Sequence, residues 1–346
     1  MDRQPVFLRA VAALCLLGIA LAAGSTVLRT KPSSLAPSFG APGAAPPRAE
    51  ALVLGALFSP KRLAALPEEL VGLAARDLAR AARDSGEARE ELARAFPPGR
   101  AVLALLALDR DVDDFVESSD LPGPAGEHYR EAARLASEYR PLRAAYETLY
   151  AAAYEALAGQ SPAAGQAQAE GQPTPPALAA AAAAPARARP CLAARGAVYP
   201  PARRELPLAH PYALDVFFTS FDRRGEAHIG PRILSLSPGI VVASAADWRG
   251  GAGPAKWKSG GLSPAAGNGL VIYNPVERRY YSYFHLHEVQ LLVGQTVESG
   301  TVLGRGGNTG MNARRPNHGG HVHLEVFDAA EGRAWSAEEI LDFLFA

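Results

Sequence analysis

His321-Val322-His323-Leu324-Glu325-Val326-Phe327 decides how the second half of this chain folds. Its texture is that of a β-strand: Val322 and Leu324 alternate with His321 and His323, so the apolar residues share the packed face. In a strand, side chains two apart project to the same side, so His321 and His323 point together into one site. One imidazole of such a pair can bind a metal while its neighbour faces a substrate. A neutral histidine nitrogen binds zinc at about 2.0–2.1 Å, and a bond that short needs the rigid backbone a strand supplies.

Similar short apolar runs surround this strand, separated by Gly and Pro. They are Leu214 to Phe218, Gly239 to Val242, Gly269 to Tyr273, Tyr280 to Phe284 and Thr301 to Leu303. Many short strands with turn signals and little helix predict a mainly β domain over residues 190–346, a compact antiparallel β-sandwich. Only Ser336 to Leu344 reads as a helix, with Ser336 as N-cap and Glu338 and Glu339 in the first turn.

Five of the eight histidines lie between 285 and 323. About a hundred residues upstream of the His321–His323 pair is His210-Pro211-Tyr212-Ala213-Leu214-Asp215-Val216. Asp215 opens an apolar strand, an expensive place for a carboxylate unless a cation meets it. Two histidines and one aspartate, with water in the fourth position, make an open tetrahedral metal site. Such a site polarises a carbonyl and generates a nucleophile near neutral pH. A third group, Tyr283-Phe284-His285-Leu286, ends a strand at His285, which could approach the metal from another edge.

The order of these elements carries a resemblance. A His/Asp pair is followed by Tyr283-x-His285-Leu286, then Val293-Gly294-Gln295-x-Val297-x-x-Gly300-x-x-Leu303-Gly304, then Gly307-Asn308-Thr309-Gly310, then His321-x-His323-Leu324-Glu325-Val326. Together with Gly239-Ile240-Val241-Val242-Ala243, this resembles the lysostaphin/LytM-type zinc metallopeptidases over about residues 205–328, and no part of the preceding helical region. The resemblance implies a zinc-dependent endopeptidase that hydrolyses peptide bonds in bacterial peptidoglycan. By position it implies that His210, Asp215 and His323 hold Zn2+. His285 and His321 become the catalytic pair, orienting or deprotonating the attacking water and stabilising the tetrahedral intermediate. Which member of the His321–His323 pair binds metal follows from the resemblance alone.

Two departures stand out. Four residues separate His210 from Asp215, where the family usually has three. A regular strand would send an i, i+5 pair to opposite faces, so ligation by His210 requires a bulge or a place in the preceding loop. Pro211 favours the loop, and His228 is the reserve ligand. The second departure is Met311 to Gly320, longer than the family's turn and carrying Arg314, Arg315 and His318. It reads either as a solvated loop or as a groove wall that meets acidic groups of a peptidoglycan stem. His287 reads as exposed. Trp248 and Trp257, in the loop 244–268, either line a groove or pack.

Two rival functions compete. A non-catalytic relative would bind and activate another cell-wall hydrolase, but such relatives lose ligands, and every expected residue type is present here. Val293 to Gly304 also looks like the hairpin of lipoyl and biotinyl carriers. Those require a modifiable lysine, and no lysine follows Lys258.

The N-terminal half is different in kind. Arg3 and Arg9 precede a fourteen-residue uncharged stretch, Ala10 to Ala23, of signal-peptide length. Residues 1–28 therefore read as a signal peptide or as an anchor in the inner membrane, and the protein as extracytoplasmic, periplasmic or secreted. Residues 29–50 form a Pro/Ala-rich tether and 160–189 an Ala/Pro/Gln-rich linker. Between them, 51–159 is an α-helical region. Pro67 starts a helix whose expected face is Leu66, Leu70, Leu73, Ala74, Leu78 and Ala81. A later helix, from about Pro141, aligns Leu142, Tyr146, Leu149, Ala153 and Leu157. After cleavage only Cys191 remains, so no intramolecular disulfide forms. Formal net charge is zero without basic runs, which argues against nucleic acid as a partner. The expected partners are a peptidoglycan peptide and other cell-wall enzymes.

Overall fold

A computed structural model describes residues 68–84, 86–106, 116–117, 121–158, 211–218 and 221–345. The signal or anchor segment, the tether, the 160–189 linker, Cys191 and His210 lie outside the described residues. Among those described, no helix is long and apolar enough to cross a membrane.

The helical region contributes α1 (Glu68–Asp84), α2 (Gly86–Ala95), α3 (Gly99–Leu106), α4 (Gly123–Tyr139) and α5 (Arg143–Leu157). Pro122 and Pro124 bracket the start of α4, where a missing N–H costs nothing. Of the stripe expected on α5, Tyr146, Leu149, Ala153 and Leu157 are buried, and Leu142, just before the helix, is partly buried. On α1 the buried stripe is Val71, Ala75, Leu78, Ala79 and Ala82, while Leu73 is 39% exposed. Of the face expected on this helix, Leu78 is buried and Leu73 is exposed; Leu66 and the side chains of Leu70, Ala74 and Ala81 lie outside the described residues.

The β region is a main antiparallel sheet plus a smaller one. The main sheet runs β1 (Leu214–Phe217), β11 (His321–Asp328), β7 (Arg279–Phe284), β6 (Gly269–Asn274), β5 (Gly239–Ala245), β9 (Thr296–Val297), with β12 (Arg333–Ala334) also paired to β11. The smaller sheet orders β4 (Arg232–Leu234), β10 (Val302–Arg305) and β8 (Glu288–Val289). A separate hairpin joins β2 (Asp222–Arg224) to β3 (Ala227–Ile229). Between the two sheets lies one core, which includes Ile233, Leu303, Val322, Leu324 and Val326. Helix α6 (Ala337–Phe345) seals it with Ile340, Leu341 and Leu344. Ser336 caps α6 as expected: the Glu339 amide donates to Ser336 Oγ at 3.2 Å, and Glu339 Oε2 accepts from the Ser336 amide at 2.7 Å.

The other face of the main sheet carries a second core, shared with the helices. Ile240, Val242, Tyr273, Tyr280, Phe284 and Phe327 cluster there with Tyr139, Tyr146, Leu149 and Tyr150. Alternation along β11 puts Phe327 on the face of His321 and His323, so the helices cover part of the same sheet face that bears the histidines. Tyr139 and Tyr280 share a hydrogen bond at 3.3 Å. Nearby, buried Glu147 accepts from Arg278 at 3.1 Å.

This tyrosine cluster makes the fold sensitive to alkali. Burial pushes the Tyr139 hydroxyl up to about 12, and those of Tyr150 and Tyr280 well above their ordinary value. The folded state thus holds protons that the unfolded chain releases near pH 10, so stability is full below that pH and falls as pH rises above it. The part of the tyrosinate absorbance that belongs to this buried cluster should therefore develop together with loss of the circular dichroism signal, at a pH above 10. Complete ionisation of all eleven tyrosines at ordinary tyrosine pH with the fold intact would contradict this packing.

Candidate active site

Strand pairing assembles the site. β1 and β11 are antiparallel, with Asp215 opposite His323 and Phe217 opposite His321. Residues directly opposite on one face have neighbouring side chains, and Asp215 Oδ1 lies 2.7 Å from His323 Nδ1. His323 Nε2 donates to Glu325 Oε1 at 3.0 Å, from two residues further along the same face. Left to burial alone the imidazole would lose its proton. The hydrogen bonds to Asp215 and Glu325 outweigh that and raise its pKa to about 10.

His285 enters from the end of β7. It adopts φ +63°, a left-handed conformation that costs a non-glycine residue about 1–2 kcal/mol. Two main-chain contacts impose it: the His285 amide donates to Ala266 O at 3.0 Å, and Nδ1–H donates to Thr309 O at 2.8 Å. With Nδ1 carrying the hydrogen, Nε2 keeps the lone pair. Burial, then the neighbouring His321 and His323, hold the His285 pKa well below the usual range.

His321 is 1% exposed, and its amide is paired to Gly307 O at 3.0 Å. Its Nδ1 lies 3.4 Å from Gly319 O, and its Nε2 is 3.9 Å from Asp215 Oδ1. Burial, only partly offset by Asp215, lowers its pKa to about 4. The ring centroids of His285 and His321 are 4.7 Å apart, and those of His285 and His323 5.6 Å. Two neutral imidazoles thus stand beside a carboxylate–imidazole pair, an arrangement that can accept and return protons.

Asp215, His285, His321 and His323 are therefore brought together. His210 lies outside the described residues, which begin again at the Pro211–Tyr212 turn before β1. Among the described residues no group of three His, Cys, Asp or Glu is placed to hold a metal ion. The two donors present nevertheless suit a metal. Asp215 Oδ1 and His323 Nδ1 lie 2.7 Å apart, and Glu325 holds the other nitrogen of His323, the carboxylate support that metal-bound histidines use. His228, the reserve ligand, sits on β3 with its ring stacked on Phe221 at 4.2 Å and its Nδ1 buried without a hydrogen bond. Its amide donates to Asn308 Oδ1 at 2.9 Å, which ties β3 to the Gly307 to Gly310 turn. His287 is partly buried rather than exposed, with its amide bonded to Arg305 O.

Two supports escaped the sequence reading. Glu325 was open to detection, being two residues beyond His323 on the same strand face. The Thr309 carbonyl was not, because any residue supplies one; what the Gly307 to Gly310 motif contributes is room. A side chain at Gly310 (φ +101°) would run into Ala265 O and meet His285 Nδ1 at 2.9 Å.

A family model described as Peptidase family M23 matches residues 225–334, so the C-terminal part of the chain is an M23 peptidase domain. The match contains His285, His321 and His323 and begins after Asp215. Comparison with curated proteins gives no match. Among solved structures, the catalytic domain of lysostaphin from Staphylococcus simulans is similar at 19% identity over 42% of this chain and 88% of that one, with TM-score 0.27. A point mutant of the catalytic domain of EnpA, a prophage-encoded M23 protein from Enterococcus faecalis, is 18% identical over 43% and 95%, with TM-score 0.28. A zinc-containing peptidase from Vibrio cholerae is 22% identical over 41% and 39%, with TM-score 0.22.

Proposed function

We propose that the protein is a zinc-dependent endopeptidase that hydrolyses peptide bonds in bacterial peptidoglycan. The observation that carries this reading is the in-register pair of Asp215 and His323, 2.7 Å apart, flanked by two buried neutral histidines. Asp215 and His323, with His210 as third donor, would hold the metal. Zinc bound there supplies a Lewis acid that polarises the scissile carbonyl and activates water. Asp215 brings the negative charge that favours a cation, and Glu325 fixes the tautomer of His323 so that Nδ1 faces Asp215. His321 and His285 each offer a neutral Nε2. One takes the proton of the attacking water and, as the imidazolium so formed, hydrogen-bonds the tetrahedral intermediate and passes that proton to the leaving amine. The other orients the water by accepting a hydrogen bond.

Export suits this activity. Residues 1–28 act as signal peptide or anchor, the segments 29–50 and 160–189 as tether and linker, and the protein works outside the cytoplasm on a peptidoglycan peptide, alongside other cell-wall enzymes. A second reading, a non-catalytic relative that activates another hydrolase, is favoured only by the described residues supplying two ligands rather than three.

Mass spectrometry of purified peptidoglycan after incubation with the full-length chain separates the two. Peptidase action releases products cut within the peptides, and a chelator stops it. Intact cross-links after prolonged incubation contradict the enzyme reading.

The Gly310 turn gives a further check. Gly310→Ala should displace His285 and lower hydrolysis about a hundredfold, since misplacement by an ångström costs that much. Zinc content should stay unchanged. Unimpaired hydrolysis would mean that His285 does not act.

A further inference from the structure

Arg314 stands apart from the other arginines beside the site. It is half-buried, and its guanidinium lies over the ring of Trp248, 5.3 Å from the centroid. Its Nε is fully buried and has no hydrogen-bond partner among the described residues. Glu226, the acidic residue that acts on it electrostatically, is exposed on the β2–β3 turn. A guanidinium is always charged and presents five donors in a planar fork, so a half-buried one is normally matched to an anion.

The position of Arg314 is fixed by the network that holds His285. The Arg314 amide donates to Gly310 O at 2.9 Å, and Gly310 packs against the His285 ring. Trp248 is pinned by its amide to Asn268 Oδ1 at 2.8 Å and by Nε1 to Pro264 O at 3.3 Å. Two residues from each of these anchors is Ala266, whose carbonyl holds the His285 amide. Arg314 is therefore a cation on a rigid aromatic platform, one short turn from a proposed catalytic histidine.

We infer that Arg314 is a specificity residue that binds a free carboxylate of the peptide substrate, so that the site selects acidic peptides over neutral ones. This deepens the peptidase reading and rests on it for the substrate class. A planar fork pairs with a carboxylate through two parallel hydrogen bonds, and the Trp248 stack fixes the plane in which they form. The neighbouring Arg315 is exposed and not held by such a platform, so it serves as the control.

The test uses the full-length chain and two probes: a cross-linked stem peptide with free carboxylates, and the same peptide with every carboxylate amidated. The wild type should prefer the free-carboxylate peptide in kcat/KM by about ten- to a hundredfold, the range of a charged hydrogen-bond pair. Arg314→Gln should abolish the preference by lowering the rate on the acidic peptide while leaving the amidated one within about threefold. Arg315→Gln should keep the preference. A wild type without preference, or an Arg314→Gln variant that retains it, overturns the inference. Tryptophan fluorescence titration with the free-carboxylate peptide supplies an arm independent of hydrolysis. Saturable binding that Arg314→Gln loses supports the carboxylate site even if neither peptide is cut, which would count against the peptidase reading alone. Binding unaffected by Arg314→Gln, or no binding at all, overturns it.

Discussion

His323→Ala should lose zinc and peptidoglycan hydrolysis together. His323 is the residue through which three features of the site meet: Asp215 across the strand pair, Glu325 along the strand, and the Phe284 ring stacked at 5.9 Å. Its removal deletes one proposed ligand and leaves two carboxylates, Asp215 and Glu325, without their shared cationic partner. Loss of an outer partner such as Glu325 typically weakens metal binding about 10–100-fold. Loss of the ligand itself should exceed that, so the purified variant should contain no stoichiometric zinc, as measured by elemental mass spectrometry. Glu325→Gln should fall between the wild type and His323→Ala. If His323→Ala retains zinc, the roles within the His321–His323 pair are reversed.

The second large effect separates proton transfer from metal binding. His321→Ala should keep its zinc while hydrolysis falls about 10²–10⁴-fold, the usual contribution of a positioned acid or base. The geometry supports the distinction. His321 Nε2 is 3.9 Å from Asp215 Oδ1, whereas His323 Nδ1 is at 2.7 Å, so one histidine is bonded to the carboxylate and the other stands beside it. Phe217 and His318 pack against the His321 ring, each 5.0 Å away, and fix its orientation. Parallel loss of zinc and hydrolysis in His321→Ala would place it among the ligands.

How much of this could be read from the sequence depended on whether the signal was local. The alternation in His321 to Phe327 is local, and it correctly gave a strand with both imidazoles on one face. The Ser336 cap was legible for the same reason. The hairpin β2–β3 was not, because Asp222, Arg223 and Arg224 are all exposed and carry no apolar alternation. On α1 the position that departs from the expected face is Leu73, which is exposed, while Ala75, Ala79 and Ala82, weak as hydrophobic markers, are buried beside Leu78. The pairing of Asp215 with His323 spans 108 residues, and only the resemblance anticipated it. Least legible was the docking of α3, α4 and α5 on the sheet face that carries the histidines. Tyr139, Tyr150, Tyr273 and Tyr280 interlock there through shapes and hydroxyl contacts that neither segment displays alone. That arrangement places the helical region on the same sheet face as His321 and His323.

One zinc ion is expected between Asp215 and His323, and anomalous diffraction at the zinc edge from crystals of the full-length protein measures whether it is there. The expected result is one peak within bonding distance of the Asp215 carboxylate and His323 Nδ1, with a third protein bond from His210. A zinc peak elsewhere in the chain, or crystals grown with zinc that show none at this pair, would contradict it.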